Sequence, residues 1–239
     1  MQHNYIGNEL ELFANARNWK AYWGGSIRPY VKGRVLDVGA GIGSNIPVLH
    51  NQRLASWLAL EPDRQLADQI QSRIAKGELP AICEVQSSTI RDLDRSRLFD
   101  TILYVDVLEH IEDDRGELER AAERLDFDGA LIVLSPAHQR LFSAFDKAIG
   151  HFRRYNATSL RSVAPRCLEL ERMFYLDSVG IVASLGNKML LHSPQPTDGQ
   201  IELWDKLIVP LSRIMDPLTG YTLGKTIIGV WRRPRVSGR

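Results

Sequence analysis

Val35-Leu36-Asp37-Val38-Gly39-Ala40-Gly41-Ile42-Gly43 is the stretch that decides the fold. An apolar run ends at Asp37, glycines follow at 39, 41 and 43, and a helical pattern starts at Ser44. That order is a strand, a nucleotide-type loop and a helix N-terminus. Gly39 and Gly41 permit a sharp turn and let a ligand approach the backbone, and Gly43 allows close packing where the helix begins. The spacing is Gly-x-Gly-x-Gly, not the Gly-x-Gly-x-x-Gly of the usual dinucleotide fold. Asp37, two residues before the first glycine, suits a positively charged part of a ligand and would repel a pyrophosphate. Glu61, 18 residues after Gly43, ends the next strand pattern and can accept bonds from both hydroxyls of a ribose.

Outward from this loop, short apolar runs alternate with helical patterns. Strands are expected at 34–40, 57–60, 82–86, 99–105 and 130–134, with helices at 44–50, 64–76 and 113–125. Five apolar strands separated by helices argue for a parallel sheet with right-handed crossovers. Before the first strand, Leu10, Leu12, Phe13, Ala16, Trp19, Tyr22 and Trp23 fall near one helical face over 9–23, and Gly24-Gly25 is expected to end that helix. Beyond the fifth strand lie a polar and aromatic stretch at 137–165 and a strand over 167–176. A long connection over 186–224 follows, with an apolar helical piece around 201–214, and a last strand covers 226–231. One domain over 1–239 is expected: a helical cap at 1–30, a core at 31–180, an apolar insertion at 186–224, and the last strand with a basic tail at 225–239.

Composition narrows the classes. The chain has 239 residues, 44% hydrophobic and 25% charged, which is ordinary for a globular protein. A formal net charge of +1 gives no general electrostatic case for nucleic acid. Cys83 and Cys167 form no metal-ligand spacing, and both read as buried free thiols within strands. The N-terminus lacks the layout of a signal peptide, and no stretch reaches the roughly 18 apolar residues of a membrane span. The expectation is a cytoplasmic protein, monomeric or homodimeric, with room for peripheral membrane contact through its apolar insertion.

The glycine loop with Asp37 before it and Glu61 after it resembles motif I of class I S-adenosylmethionine-dependent methyltransferases. The similarity runs from about residue 10 to 178 and returns at 224–232. It implies a Rossmann-like, mostly parallel seven-stranded α/β sheet with helices on both faces, an N-terminal helical cap and an insertion before the last strand. It also implies S-adenosylmethionine as cofactor, held by Asp37, Gly39, Ala40, Gly41, Gly43, Glu61, Pro62, Ser88, Thr89, Asp106 and Val107. In that family the acid of the first strand orients the amino-acid end of the cofactor, and the acid of the second strand binds the ribose. Many members carry an aspartate at the end of the third strand, where this chain has Ser87 and Ser88.

Two further stretches belong to the acceptor side. Asp106-Val107-Leu108-Glu109-His110 looks like the signature of small-molecule and lipid-precursor methyltransferases. Asp106, Glu109 and His110 also match, by spacing, a divalent-metal site of some quinone-precursor O-methyltransferases. Glu112-Asp113-Asp114 reads as an acidic helix start, and no metal is assigned. The run from Pro136-Ala137-His138 to Gly150-His151-Phe152-Arg153-Arg154-Tyr155 resembles a bacterial methyltransferase subgroup with a PAH…GHxRRY block. His138 leaves the carboxyl end of a strand, where open α/β sheets bind ligands. His138 or His151 is the expected base, with Asp146 orienting the imidazole. Tyr22, His110, Arg153, Arg154 and Tyr155 are the expected acceptor contacts; the alternative for the block is a lid held by internal ion pairs.

The leading reading is methyl transfer to a small-molecule or lipid-like acceptor, at oxygen. Transfer to nitrogen or carbon of a natural-product or glycan precursor, a nicotinamide-dependent oxidoreductase, and a non-catalytic partner subunit are the alternatives. Asp37 and the glycine spacing oppose the nicotinamide reading, and the intact Asp37, glycines and Glu61 oppose a decayed subunit.

Overall fold

The computed structural model describes residue 13, residues 15–182 and residues 197–235. The start of the expected N-terminal helix, the first part of the insertion and the end of the tail lie outside these described residues. Seven strands form one sheet: β1 Gly33–Val38, β2 Leu54–Leu60, β3 Cys83–Gln86, β4 Phe99–Val105, β5 Leu125–Pro136, β6 Glu169–Leu176 and β7 Thr226–Arg232. Their spatial order is β3-β2-β1-β4-β5-β7-β6. The β1–β2, β1–β4, β2–β3 and β4–β5 pairs are parallel, and β7 runs antiparallel between β5 and β6.

The helices bounded within the described residues include α1 Arg17–Ile27, α2 Asn45–Leu49, α3 Arg64–Ala75, α4 Asp114–Glu123, α5 Ala144–Ala148, α6 Ala157–Val163, α7 Asp198–Leu203 and α8 Val209–Leu218. Side chains alternate across the sheet, so each strand feeds two cores. Val35, Leu103 and Ile132 pack on one face with Ile46 of α2 and Ile70 of α3. Leu36, Ile102 and Val133 pack on the other with Leu118 of α4 and Leu160 of α6. The β1–β2–β3 crossovers therefore cover one face, and the β4–β5 crossover covers the opposite one. Right-handed connections running outward in two directions from β1 produce this arrangement. The strand order reverses between β1 and β4, and the carboxyl ends at such a point are where open α/β sheets form their ligand crevice.

Three expectations are corrected. Gly24-Gly25 does not end the first helix, because α1 continues to Ile27. Gly24 lies against α2, and a Cβ there would sit 2.4 Å from Val48 Cγ1. It is a point of close helix approach, not a stop. Cys167 is exposed and precedes β6, whereas Cys83 is buried. β5 starts five residues before the expected 130, with Asp128 at φ 62° within it and an irregular register against β4.

The insertion packs onto the N-terminal helix. Asp205 accepts bonds from the Asn18 and Trp19 amides at 3.2 and 2.9 Å, satisfying the start of α1. Tyr22 donates its hydroxyl to buried Asp216 at 2.8 Å. Asp216 also accepts from the Asp177 and Ser178 amides at the end of β6. A π-helical turn, Trp204–Ile208, joins α7 to α8, and Trp204 packs on Trp19 with ring centroids 5.5 Å apart. The outer side of the π turn and α8 leaves Leu207, Ile214 and Leu218 exposed. No helix among the described residues is long and apolar enough to cross a membrane.

The two glycines of α1 give opposite expectations. Gly25→Ala, with nothing within 4 Å of the added Cβ, should raise stability by up to about 1 kcal/mol. Gly24→Ala should lower it by about 1–3 kcal/mol through overpacking against Val48. Thermal or denaturant unfolding of both variants checks the pair; equal shifts would contradict the packing described.

Candidate active site

The glycine loop is locked between the ends of three strands. Gly39, Gly41 and Gly43 all have positive φ, 64°, 57° and 73°. At Gly39 a Cβ would also meet Val107 Cγ2 at 2.7 Å, so the residue after β4 closes over the loop after β1. Gly43 is required by its backbone conformation first; its added Cβ would lie 3.3 Å from Ile70, a tight but lesser constraint. The Gly39 and Ala40 amides donate to the Leu60 carbonyl at 2.8 and 3.2 Å, tying the loop to β2.

Two carboxylates stand under this loop. Asp37 is fully buried and accepts from Asn45 Nδ2 at 3.2 Å. Burial raises its pKa to about 7, against the bond from Asn45, with the Glu61 charge adding to the rise. The Trp57 indole N–H lies near enough to favour the charged form but makes no hydrogen bond of good geometry. Glu61 accepts from the Gly41 amide through Oε2 at 2.7 Å and from the Asp63 amide through Oε1 at 2.9 Å. Burial pushes its pKa up, opposed by these two amides. Pro62 follows it, and Asp63 caps α3 by accepting from the Gln65 and Leu66 amides. At the end of β3, Ser88 Oγ donates to the Thr89 carbonyl and Thr89 Oγ1 to Asp92.

At the end of β4, Asp106 adopts φ 53° and leaves its side chain exposed at the rim of the crevice. The protein crowded around it still raises its pKa, with nearby His151 opposing the rise. A short 3-10 turn, Leu108–His110, follows. Glu109 is fully buried; its Oε2 accepts from Ser135 Oγ at 2.5 Å. Burial and then the Asp106 charge hold its pKa well above the usual carboxylate range. Burial and then His151 lower His110 to about 4.

Asp146 organises the block beyond β5. It is fully buried at the start of α5, where it forms a capping box with Ser143. Its carboxylate accepts from His151 Nδ1 at 2.9 Å and from Arg154 Nε and Nη2 at 2.7 and 2.9 Å. Burial would raise its pKa, but the bonds from His151 and Arg154 override this and hold it well below the usual range. The His151 ring stands edge-to-face on His110, with centroids 4.5 Å apart. The Phe152 amide donates to the Glu109 carbonyl at 2.8 Å, which zips this block to the loop after β4.

The two histidines expected as bases point to different places. His151 joins Glu109 and His110 on the β4 side. His138, at φ 64°, stacks on Tyr175 of β6 with centroids 5.2 Å apart. Its Nε2 is buried and has no hydrogen-bond partner among the described residues. Burial lowers its pKa, offset in part by the Gly224 backbone. His138, Gln139, Arg140 and Asn156 line a surface depression of about 390 Å³.

The expected acceptor contacts are engaged internally. Arg153 pairs with Asp114 at 2.5 Å and Arg154 with Asp146. Tyr155 is buried and donates to Asp114 at 2.7 Å, and Tyr22 is occupied by Asp216. His110 stands edge-to-face on His151 beside the loop after β4. Asn45, Ser135 and Tyr175 were not expected from the sequence. Asn45 carried a signal, as a polar residue in the first turn after the glycine loop; Ser135 and Tyr175 had none, since their partners are distant in sequence.

A methyltransferase domain model matches residues 13–166, more than half of the chain. No curated protein matches the chain in sequence. Solved structures share the fold at low identity. Geranyl diphosphate methyltransferase in complex with SAM is 9% identical with a TM-score of 0.65, the match covering 95% of this chain and 90% of that one. Coclaurine N-methyltransferase, bound to N-methylheliamine and SAH, is 12% identical with a TM-score of 0.60, covering 91% and 72%. The N-methyltransferase NodS from Bradyrhizobium japonicum WM9 is 12% identical with a TM-score of 0.54, covering 95% and 98%. Family model, strand order and glycine loop agree: this chain belongs to the methyltransferase domain family and has the Rossmann-like class I fold.

Proposed function

We propose that this chain binds S-adenosylmethionine and transfers its methyl group to a hydroxyl of a small-molecule or lipid-like acceptor. The observation that carries the reading is Asp37, a buried carboxylate at the end of β1 with no cationic partner among the described residues. Such a group is costly until a cation reaches it. The ammonium of an amino-acid moiety fits it, and a pyrophosphate does not. Glu61 retains lone pairs for ribose hydroxyls beside the two amides it already serves. Ala40, Pro62, Ser88, Thr89, Asp106 and Val107 are assigned to the same site from their places at the ends of β1 to β4. Bound there, the cofactor supplies an electrophilic methyl on a sulfonium.

The protein's part is alignment of the acceptor and removal of its proton, and alignment alone contributes several kcal/mol of barrier reduction. His138 is assigned as the base. A strained backbone at a strand end, a free Nε2 and a neutral ring at pH 7 support that role. Asp146 is assigned as the organiser of the acceptor edge, through His151 and Arg154. Arg153 and Arg154 then shape that edge from their ion pairs, and Tyr155 from its hydrogen bond to Asp114. The exposed apolar side of the π turn and α8 supports an acceptor with lipid character or one met at a membrane surface. Incubation with methyl-labelled cofactor and a panel of hydroxyl, amine and carbon acceptors tests the reading; labelled ether products support it, and label only on nitrogen or carbon corrects the acceptor class.

Glu61→Ala should weaken S-adenosylmethionine binding by loss of charge-assisted bonds worth roughly 1.5–3 kcal/mol, read by calorimetry. His138→Ala should spare that binding and lower turnover about 10²–10⁴-fold. Affinity should also depend on pH through Asp37. Its pKa of about 7 means that the cationic ligand selects a carboxylate that is increasingly protonated as pH falls. Binding should therefore weaken roughly tenfold between pH 7.5 and 6. A flat profile would show that Asp37 does not meet the cation.

A further inference from the structure

Glu109, His110 and His151 make a second constellation, and donor binding has no use for it. Among the described residues, each offers one ligand atom, and these atoms lie within 4.8 Å of one another. We propose that the three hold a single divalent transition cation of the zinc type, with Asp146 as the outer carboxylate that orients His151. The set differs from the Asp106, Glu109 and His110 that sequence spacing suggested. His151 comes from the block beyond β5, and the fold brings it to the other two.

Two observations carry the proposal. First, Glu109 is fully buried, yet its Oε1 has no hydrogen-bond partner among the described residues, while Oε2 is taken by Ser135. A buried carboxylate oxygen left unpaired is rare and costly. Second, the tautomer of His151 is set by its neighbours. Asp146 already accepts from Arg154 and Ser143 and accepts the Nδ1 proton of His151 at 2.9 Å. In the neutral ring the lone pair is then on Nε2, 3.9 Å from Glu109 Oε1. That separation is too long for a hydrogen bond. Two electron-pair donors face each other across a gap, and a cation between them satisfies both.

The distances suit such an ion. Ligands about 2.1 Å from a tetrahedral zinc stand roughly 3.4 Å apart, so small side-chain rotations close the cluster. His110 meets His151 edge-to-face at 4.5 Å between centroids and completes the set. Two imidazoles and one carboxylate select transition cations over magnesium or calcium, which prefer oxygen throughout. A carboxylate behind the coordinating histidine is the usual outer partner of such a ligand. Three protein ligands leave a coordination position open, with exposed Asp106 at the same rim.

The test is titration of the metal-stripped full chain with cobalt(II), followed by visible absorption, with zinc as competitor. One equivalent of cobalt should develop a ligand-field spectrum that zinc abolishes. Glu109→Gln and His151→Gln should lose it, Asp146→Asn should weaken binding 10–100-fold at unchanged stoichiometry, and His50→Ala, on the exposed surface, should change nothing. Zinc should also raise the melting temperature of the unaltered protein, a readout that needs no variant to fold. Absence of a cobalt spectrum and of a zinc-induced shift, or cobalt binding that Glu109→Gln leaves intact, overturns the proposal. The titration contains no S-adenosylmethionine, so its failure and a failure of donor binding are separate results.

Discussion

A carboxylate buried without a counter-ion is the constraint on which the site depends. Asp37 sits at the end of β1, where among the described residues the Asn45 side-chain amide is its hydrogen-bond donor. Hydrophobic burial of β1 on both faces places it there, since Val35 and Leu36 feed opposite cores and fix the strand in depth. The glycine loop then has to turn directly above it. Val107 closes over Gly39 from the neighbouring strand, and Glu61 reaches back to the Gly41 amide. The site is thus built from three strand ends that constrain one another, and on the proposed reading a cationic ligand relieves the cost of the Asp37 charge.

Buried acids play the same part elsewhere in the molecule, with internal partners. Asp205 and Asp216 join the insertion to α1 and β6. Asp114 receives Tyr155 and Arg153, and Asp146 receives His151, Arg154 and Ser143. These are closed networks in which the carboxylate satisfies several donors at once. Asp37 and Glu109 differ from them: each keeps capacity that no described residue uses. On the two proposals made above, these unspent buried acceptors are where the donor's ammonium and a cation bind.

Much of this was legible in the sequence. Strand and loop positions from 33 to 105 follow from continuous apolar runs punctuated by glycine and acid, because a two-face-buried parallel strand has little freedom in composition. Gly24-Gly25 misled, since a glycine that ends a helix and one that admits a neighbouring helix look alike in sequence. Cys167 and the early start of β5 turned on tertiary packing at element ends, where local pattern is weakest. The block beyond β5 was legible in its residues but not in their pairings. Nothing in the spacing of Asp146, Arg154 and Tyr155 indicates which are already satisfied, and nothing local joins His151 to Glu109.

The central claim is that the crevice under the glycine loop takes a sulfonium amino-acid nucleoside and not a pyrophosphate dinucleotide. Parallel calorimetric titrations with S-adenosylmethionine and NAD measure it most directly. The account predicts saturable one-to-one binding of S-adenosylmethionine and none of NAD; binding of NAD, or none of S-adenosylmethionine, would contradict it.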